Sequence, residues 1–218
     1  MFGLLNTKES DKTHRTAEIT GAWDSGFVPA QATASSGFAA GTLVATQNGW
    51  QDVALVQAGD QVLTFDGGLQ TVKSIRKELA WQDDFFCPEH LWPMHIPAGT
   101  LGNREAMTLM PDQTILIESD IAEEVFGDPF TLVKAEALEG YRGISRDRPA
   151  TIFEVFTLVF ETEQLAFAHS GALMHCPGDK EAEESYIVLD GEEAEMLIDT
   201  LDMLDRQNQG HTNPAMVA

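Results

Sequence analysis

The chain contains few cysteines, few basic residues and no long apolar run. Only two cysteines, Cys87 and Cys176, occur among its 218 residues, so a disulfide-rich scaffold is excluded, although the sequence leaves open whether these two pair. The chain has 13 Lys and Arg residues and 35 Asp and Glu residues, which gives a formal net charge of −22. Because such a surface repels phosphate groups, we expect neither nucleic acid nor an anionic membrane as a partner.

Several common functional signals are also missing. No apolar run is long enough to cross a bilayer, and residues 1–5 are too short for a secretory signal and lack a basic region. These features predict a cytoplasmic protein without excluding secretion by another route. The sequence contains no glycine-rich phosphate loop and no local Ser-His-Asp signature, and we expect no cofactor.

Short β-strand patterns separated by turns fill residues 37–178. Residues 42–46 are rich in β-branched side chains and lead to an Asn-Gly pair, which is a strong hairpin signal. Residues 61–65 alternate polar and apolar side chains, and a Gly-Gly turn then reverses the chain. Two consecutive hairpins are therefore expected to open an all-β domain.

The later part of this region continues the pattern of short elements. Strands are predicted at residues 114–117 and 130–133, with a short helix at residues 120–126 between them. Residues 151–160 form the longest β run, and their apolar character predicts a central strand buried on both faces. We expect this strand to turn directly into residues 164–169 as a closing hairpin.

The two ends of the chain differ in composition from the β domain. Residues 1–36 lack periodicity and are predicted to form a loose N-terminal arm. Residues 179–218 are crowded with acidic residues and are predicted to hold one amphipathic helix at about residues 192–206. Asp190 with Glu193 resembles a capping box at its start. The apolar stripe of this helix comprises Ala194, Leu197, Ile198, Leu201, Met203 and Leu204. Packing on the β domain or on a second copy is the expected role, and recruitment of another protein is the alternative.

The opening hairpins resemble the start of a Hedgehog/intein-type (Hint) domain, in the form common in bacterial proteins. The match begins with a small residue, Gly37, before Phe38. A Gly-Thr-Leu-Val-Ala-Thr run from Gly41 and a Gly-Asp-x-Val-Leu-Thr run from Gly59 follow at the family's spacing. The resemblance implies an all-β horseshoe of pseudo-twofold β-hairpins, to which this chain adds the C-terminal helix.

Three later segments extend the resemblance over residues 37–178. Residues 95–102 are similar to a Pro-Ala-Gly-Leu-Gly loop of bacterial Hint domains. Residues 108–116 lie where the family has a proline, a polar residue and then a histidine before a strand, and residues 154–177 resemble its closing hairpin. In that family the first residue attacks the carbonyl before it, and the histidine protonates the departing amide nitrogen.

This sequence departs from the family at both catalytic positions. The nucleophile position is Gly37, which has no side chain, and the histidine position is Gln113, which cannot transfer a proton near neutral pH. Losing a positioned acid or base typically costs a factor of about 10² to 10⁴ in rate, and losing the nucleophile removes the covalent route. The sequence therefore predicts a degenerate, non-catalytic Hint domain that acts as a protein-interaction or structural module, through an unknown protein partner or self-association.

Autoproteolysis remains an alternative through Ser36, one residue before Gly37. A shift of one residue moves a side chain to the opposite face of a strand, which argues against Ser36 as nucleophile. His169 lies where the terminal histidine of inteins would be sought, but no asparagine follows it. Asp112 either caps its turn or retains a role in binding a peptide or polar ligand.

A zinc site is the second alternative. Cys87 and His90 lie three residues apart, and His175 with Cys176 adds a second pair of side chains that zinc accepts. Adjacent His and Cys side chains rarely reach the same metal ion, and cysteine is often an ordinary buried residue. These four residues are therefore weak metal-ligand candidates.

Overall fold

The structure, a computed structural model, describes residues 33–82, 87–181 and 186–211. Most of the predicted N-terminal arm, residues 1–32, lies outside the described residues. Strands dominate what is described, and two α-helices accompany them. The strands are β1 Phe38–Ala39, β2 Leu43–Thr46, β3 Gly49–Asp52, β4 Gln61–Thr64, β5 Gly68–Thr71, β6 Ser74–Leu79, β7 Met94–Ile96, β8 Met107–Leu109, β9 Thr114–Glu118, β10 Phe130–Lys134, β11 Ser145–Arg146, β12 Glu154–Val159, β13 Gln164–Ala168, β14 Ala172–Cys176 and β15 Ile187–Val188. The helices are α1 Asp120–Phe126 and α2 Gly191–His211, and short 3₁₀ turns lie at Val53–Leu55, Glu89–Leu91, Ala135–Leu138 and Tyr141–Gly143.

The strands form two sheets. The first has the order β11-β7-β8-β1-β12-β6, and the second has the order β15-β10-β9-β14-β13-β2-β4-β5, with β3 paired to β2. Both predicted opening hairpins are confirmed, because β2 pairs with β3 up to Thr46 and Gly49, and β4 pairs with β5 up to Thr64 and Gly68. The short helix α1 has the predicted bounds, with Ser119 as N-cap and Gly127 as a left-handed C-cap.

The predicted closing hairpin is wrong in its strand partners. β12 lies between β1 and β6 in the first sheet, whereas β13 pairs with β14 in the second. The segment between them crosses from one sheet to the other, and Phe160 donates its backbone N–H to the Pro177 carbonyl at 3.0 Å. The predicted burial of β12 on both faces is correct: Val155 is 1% exposed and its neighbour Phe156 is 5% exposed.

The C-terminal helix packs on the β domain. Ala194, Leu197 and Ile198 are buried in the main core. The predicted apolar stripe ends early, because Met203 and Leu204 are exposed. Helix α2 begins one residue earlier and ends five residues later than predicted.

The capping box at the start of α2 is confirmed. Asp190 Oδ1 accepts the Glu193 backbone N–H at 3.0 Å, and Glu193 Oε2 accepts the Asp190 N–H at 3.1 Å. Farther along the helix, Arg142 makes two hydrogen bonds to the Asp205 carboxylate, of 2.5 and 3.0 Å. The contact with Arg142 therefore attaches the C-terminal half of the helix to the β domain.

Residues 33–36 were assigned by sequence to the arm, and they lie against the first sheet. Thr33 forms a parallel bridge with Leu79, and the Ala34 N–H donates to the Leu79 carbonyl at 3.1 Å. Ala34 is buried in a second, smaller core that includes Trp81. The chain thus enters β1 along a defined path.

Neither α1 nor α2, nor any other helix among the described residues, is long and apolar enough to span a membrane.

Candidate functional site

The predicted nucleophile position, Gly37, lies where residues 33–36 enter β1. Gly37 has φ +124°, a conformation that side-chain-bearing residues rarely adopt. A Cβ atom at this position would lie 2.8 Å from Val155 Cγ1 and 3.0 Å from the Phe156 carbonyl oxygen. A cysteine or serine would therefore force the Val155 side chain to shift and would crowd the backbone of β12, so both the backbone conformation and the available space favour glycine.

The predicted histidine position, Gln113, contacts this glycine directly. Gln113 Oε1 accepts the Gly37 N–H at 2.8 Å and the Ser36 hydroxyl at 3.2 Å. Its Nε2 donates to the carbonyls of Thr114 at 2.8 Å and His175 at 2.9 Å. A carboxamide has two donor hydrogens and two acceptor lone pairs, so this side chain, which is 1% exposed, is fully bonded. Gln113 holds β9, β14 and the entering segment together.

Asp112, a weak catalytic candidate, anchors the entering segment. Its backbone N–H donates to the Ser35 carbonyl at 2.8 Å, and its Oδ1 lies 2.7 Å from Lys134 Nζ. Burial opposes ionisation of the carboxyl, but hydrogen bonds from Lys134 and Ser35 hold the pKa of Asp112 below its usual range. An ionised, paired carboxylate is a poor proton donor at neutral pH, so the position fits a structural role.

A cleft of about 370 Å³ lies beside Gly37. Ser36 and Gln113 form part of its wall, while Arg76 of β6 and Thr157 of β12 line the sheet side. His175, near the end of β14, lines it from the second sheet, and its Nε2 lies 2.9 Å from Glu163 Oε2. The candidate site is therefore a polar cleft between the two sheets.

His169 is not part of this cleft. It lies in the turn between β13 and β14, whereas His175 is near the far end of β14. His169 and Ser170 have φ of +43° and +72°, which is the sign that type I′ hairpin turns require at both central positions. The ring is buried, and its Nδ1 has no hydrogen-bond partner among the described residues. Burial lowers the pKa of His169, and the Glu105 carboxylate partly opposes this.

The metal-ligand candidates are not brought together. Cys87 and Cys176 are both buried free thiols, and burial raises the pKa of each. Cys87 packs in the smaller core and Cys176 in the main core, while His90 is exposed. Within residues 33–82, 87–181 and 186–211, no three His, Cys, Asp or Glu side chains form a group that could hold a metal ion.

The cleft residues contributed by β6 and β12 were not predicted from the sequence. Arg76 and Glu78 lie two residues apart on β6 and both line the cleft, as does Thr157, which is directly opposite Arg76. Their alternation along a strand could have placed them on one face. Which face meets the cleft depends on the pairing of β6 with β12, and the local sequence does not contain that information.

Two solved structures are similar to this chain. The solution structure of a bacterial intein-like domain from Clostridium thermocellum matches 64% of this chain and 98% of its own, with a TM-score of 0.46 and 14% identity. A splice-inactive variant of the AceL NrdHF class 3 split intein matches 66% of this chain and 99% of its own, with a TM-score of 0.44 and 13% identity. No curated protein matches the chain. The Hint domain family matches residues 36–173, which is more than half of the sequence, and the chain therefore belongs to the Hint domain family.

Proposed function

We propose that this chain is a Hint domain that does not cleave itself and that serves as a structural or protein-binding module. The observation that carries the proposal is the hydrogen bond from the Gly37 N–H to Gln113 Oε1, at 2.8 Å. In self-cleavage before residue 37 this nitrogen would leave and would need a proton. An amide oxygen only accepts hydrogen bonds, so Gln113 stabilises the intact peptide and supplies no proton.

The space around Gly37 supports the same proposal. A nucleophile requires a Cβ, and that atom would lie 2.8 Å from Val155 Cγ1. The position therefore lacks a nucleophile, and the Val155 side chain occupies the space that a nucleophilic side chain would need. A single substitution that restores a thiol or hydroxyl would meet the same obstruction.

The alternative nucleophile, Ser36, has part of the required surroundings. The carbonyl that it would attack, that of Ser35, accepts the Asp112 N–H at 2.8 Å, which is the kind of donor that stabilises a developing oxyanion. However, the Ser36 hydroxyl donates to Gln113 Oε1, and a carboxamide oxygen is not a base that can remove its proton. The contacts therefore favour retention of the chain over its cleavage.

Intact mass measurement of the purified full chain tests the proposal. After prolonged incubation between pH 6 and 9, with and without hydroxylamine to trap an ester, we expect one species of full mass. The Ser36→Ala variant and its neighbour control, Ser35→Ala, should give the same result. A fragment that begins at Ser36 or Gly37 in the wild type, and that disappears only in Ser36→Ala, would show that the domain is an autoprotease.

The proposed partner class follows from charge. With a net charge of −22, association through phosphate groups is disfavoured, so the module is proposed to act through another protein or a second copy of itself. Light scattering of the full chain over a hundredfold range of concentration distinguishes self-association from a monomer that needs a different partner.

A further inference from the structure

We propose that the cleft beside Gly37 binds a short peptide with free termini, whose carboxylate pairs with Arg76 and whose ammonium group pairs with Glu78. This inference rests on the proposed function, because a cleft that does not cut its own chain remains available for reversible binding. Four features support it: two unpaired charges, their spacing, the polar groups around them and the volume of the cleft.

Arg76 and Glu78 are the two charged residues of β6 that line the cleft. Neither forms an ion pair with any residue that the structure describes, and they do not pair with each other. Two other arginines of the described chain, Arg104 and Arg148, also have no ion pair, but neither lines the cleft. The remaining basic side chains of the described chain contact carboxylates, and they are Lys73, Lys77, Lys134, Arg142, Arg146, Lys180 and Arg206. In so acidic a protein, an unpaired arginine at a cleft is a recognition group for a ligand carboxylate.

The spacing of the two charges selects the size of the ligand. Arg76 and Glu78 are two residues apart on β6, so their side chains leave the same face of the strand, with Cα atoms about 6.6 Å apart. An extended dipeptide spans about 7 Å, which places its two charged ends at a matching separation. A simple anion would meet Glu78 as well as Arg76, so the pair favours a ligand that carries both charges.

The remaining wall of the cleft suits a peptide backbone. The Thr157 hydroxyl can donate to a peptide carbonyl or accept from its N–H, and His175 lines the cleft from the second sheet. The Ser36 hydroxyl donates its hydrogen to Gln113, so its oxygen can only accept from a peptide N–H. A Cβ at Gly37 would lie 3.2 Å from Thr157 Oγ1, so the glycine leaves this hydroxyl uncovered. The volume of about 370 Å³ falls in the range of small-ligand sites, about 300–1,000 Å³.

Titration calorimetry of the full chain with alanyl-alanine tests the inference. We expect binding that N-acetylation or C-amidation of the dipeptide weakens about tenfold or more, because each removes a charge-assisted contact. Arg76→Gln and Glu78→Gln should each weaken binding by a similar factor. Lys77→Gln is the matched control, because Lys77 lies on the same strand but contacts Glu154 and the Phe156 ring, and it should bind like the wild type.

The two charge variants also identify which end of the peptide each residue contacts. In Arg76→Gln, amidation should no longer matter while acetylation still does, and Glu78→Gln should show the reverse. The inference is overturned if the wild type does not bind the dipeptide at millimolar concentration, if blocked and free peptides bind equally, or if Lys77→Gln weakens binding as much as Arg76→Gln. An uncut chain that fails to bind overturns this inference alone, whereas a cut chain overturns the proposed function.

Discussion

Two of the close contacts that glycines make in this domain differ in whether the polar groups around them have hydrogen-bond partners. At the first, Gly37 lies against β12, and Gln113 satisfies every polar group that it reaches. At the second, a Cβ on Gly171 would lie 2.0 Å from the Gly102 carbonyl oxygen, and the adjacent His169 ring keeps a buried nitrogen without a described partner.

The difference lies in what each contact leaves unsatisfied. A buried amide with all its hydrogen bonds formed contributes modestly to stability, whereas a buried donor or acceptor without a partner costs about 1–3 kcal/mol. The first contact therefore holds a neutral side chain, Gln113, with all of its hydrogen bonds formed. The hairpin turn instead holds a titratable side chain in surroundings that disfavour its charge.

The largest expected effect comes from adding a methyl group at the second contact. Gly171→Ala places a methyl group against the Gly102 backbone, which cannot move away as a side chain can, and we expect a loss of at least about 5 kcal/mol in the free energy of unfolding. The control is Gly191→Ala, where no atom lies within 4 Å and alanine should stabilise the helix by up to about 1 kcal/mol. Urea denaturation measures both, and similar losses in the two variants would mean that the contact is loose.

The next largest effect comes from placing a buried titratable group at the first contact, as His169 is at the second. Gln113→Glu replaces the amide donor with an ionised oxygen facing the carbonyls of Thr114 and His175, and we expect a loss of about 3–5 kcal/mol at pH 7. Burial raises the pKa of the introduced carboxyl, so stability should recover as pH falls toward about 4.3. The exposed control Gln47→Glu should stay within about 0.5 kcal/mol of the wild type. A loss that does not depend on pH would exclude the carboxylate as its cause.

Much of the fold could be predicted because its signals are local. The hairpin turns, the bounds of α1 and the Asp190–Glu193 capping box are each set by residues within a few positions of one another. The partner strands of β12 could not be predicted, because an apolar run indicates that a strand is buried but does not indicate which strands lie beside it. The same limit hid Arg76 and Glu78, whose place at the cleft follows from long-range pairing.

The two positions that the family resemblance singles out, Gly37 and Gln113, lie in direct contact. Their contact, and the lack of space for a Cβ at Gly37, depend on long-range packing that no local pattern encodes. Conversely, Cys87 and Cys176 had the right chemistry for a metal, but they pack in two different cores.

A smaller effect separates conformation from packing at the first contact. Gly37→Ala combines an unfavourable φ with the close approach to Val155, and we expect a loss of about 2–4 kcal/mol. Gly41→Ala shares the positive φ, at +89°, but has no atom within 4 Å, so only about 1 kcal/mol should be lost. Chemical denaturation of both gives the packing contribution as the difference. Equal losses would mean that β12 yields readily and that steric exclusion of a nucleophile is not a feature of the site.

The smallest effect concerns the titratable ring at the second contact. Because burial lowers the pKa of His169, the unfolded chain takes up a proton near pH 6.5 while the folded chain does not. The contribution of this residue to stability is therefore present above about pH 6.5 and decreases as pH falls, by at most about 1.4 kcal/mol per pH unit, until the folded-state pKa is reached. His169→Asn keeps a residue that tolerates the positive φ of +43° and removes the ring. Unfolding measured at intervals between pH 8 and 5 should give a shallower slope for this variant than for the wild type. Parallel profiles would mean that the buried ring is solvated, and the contrast between the two contacts would then rest on packing alone.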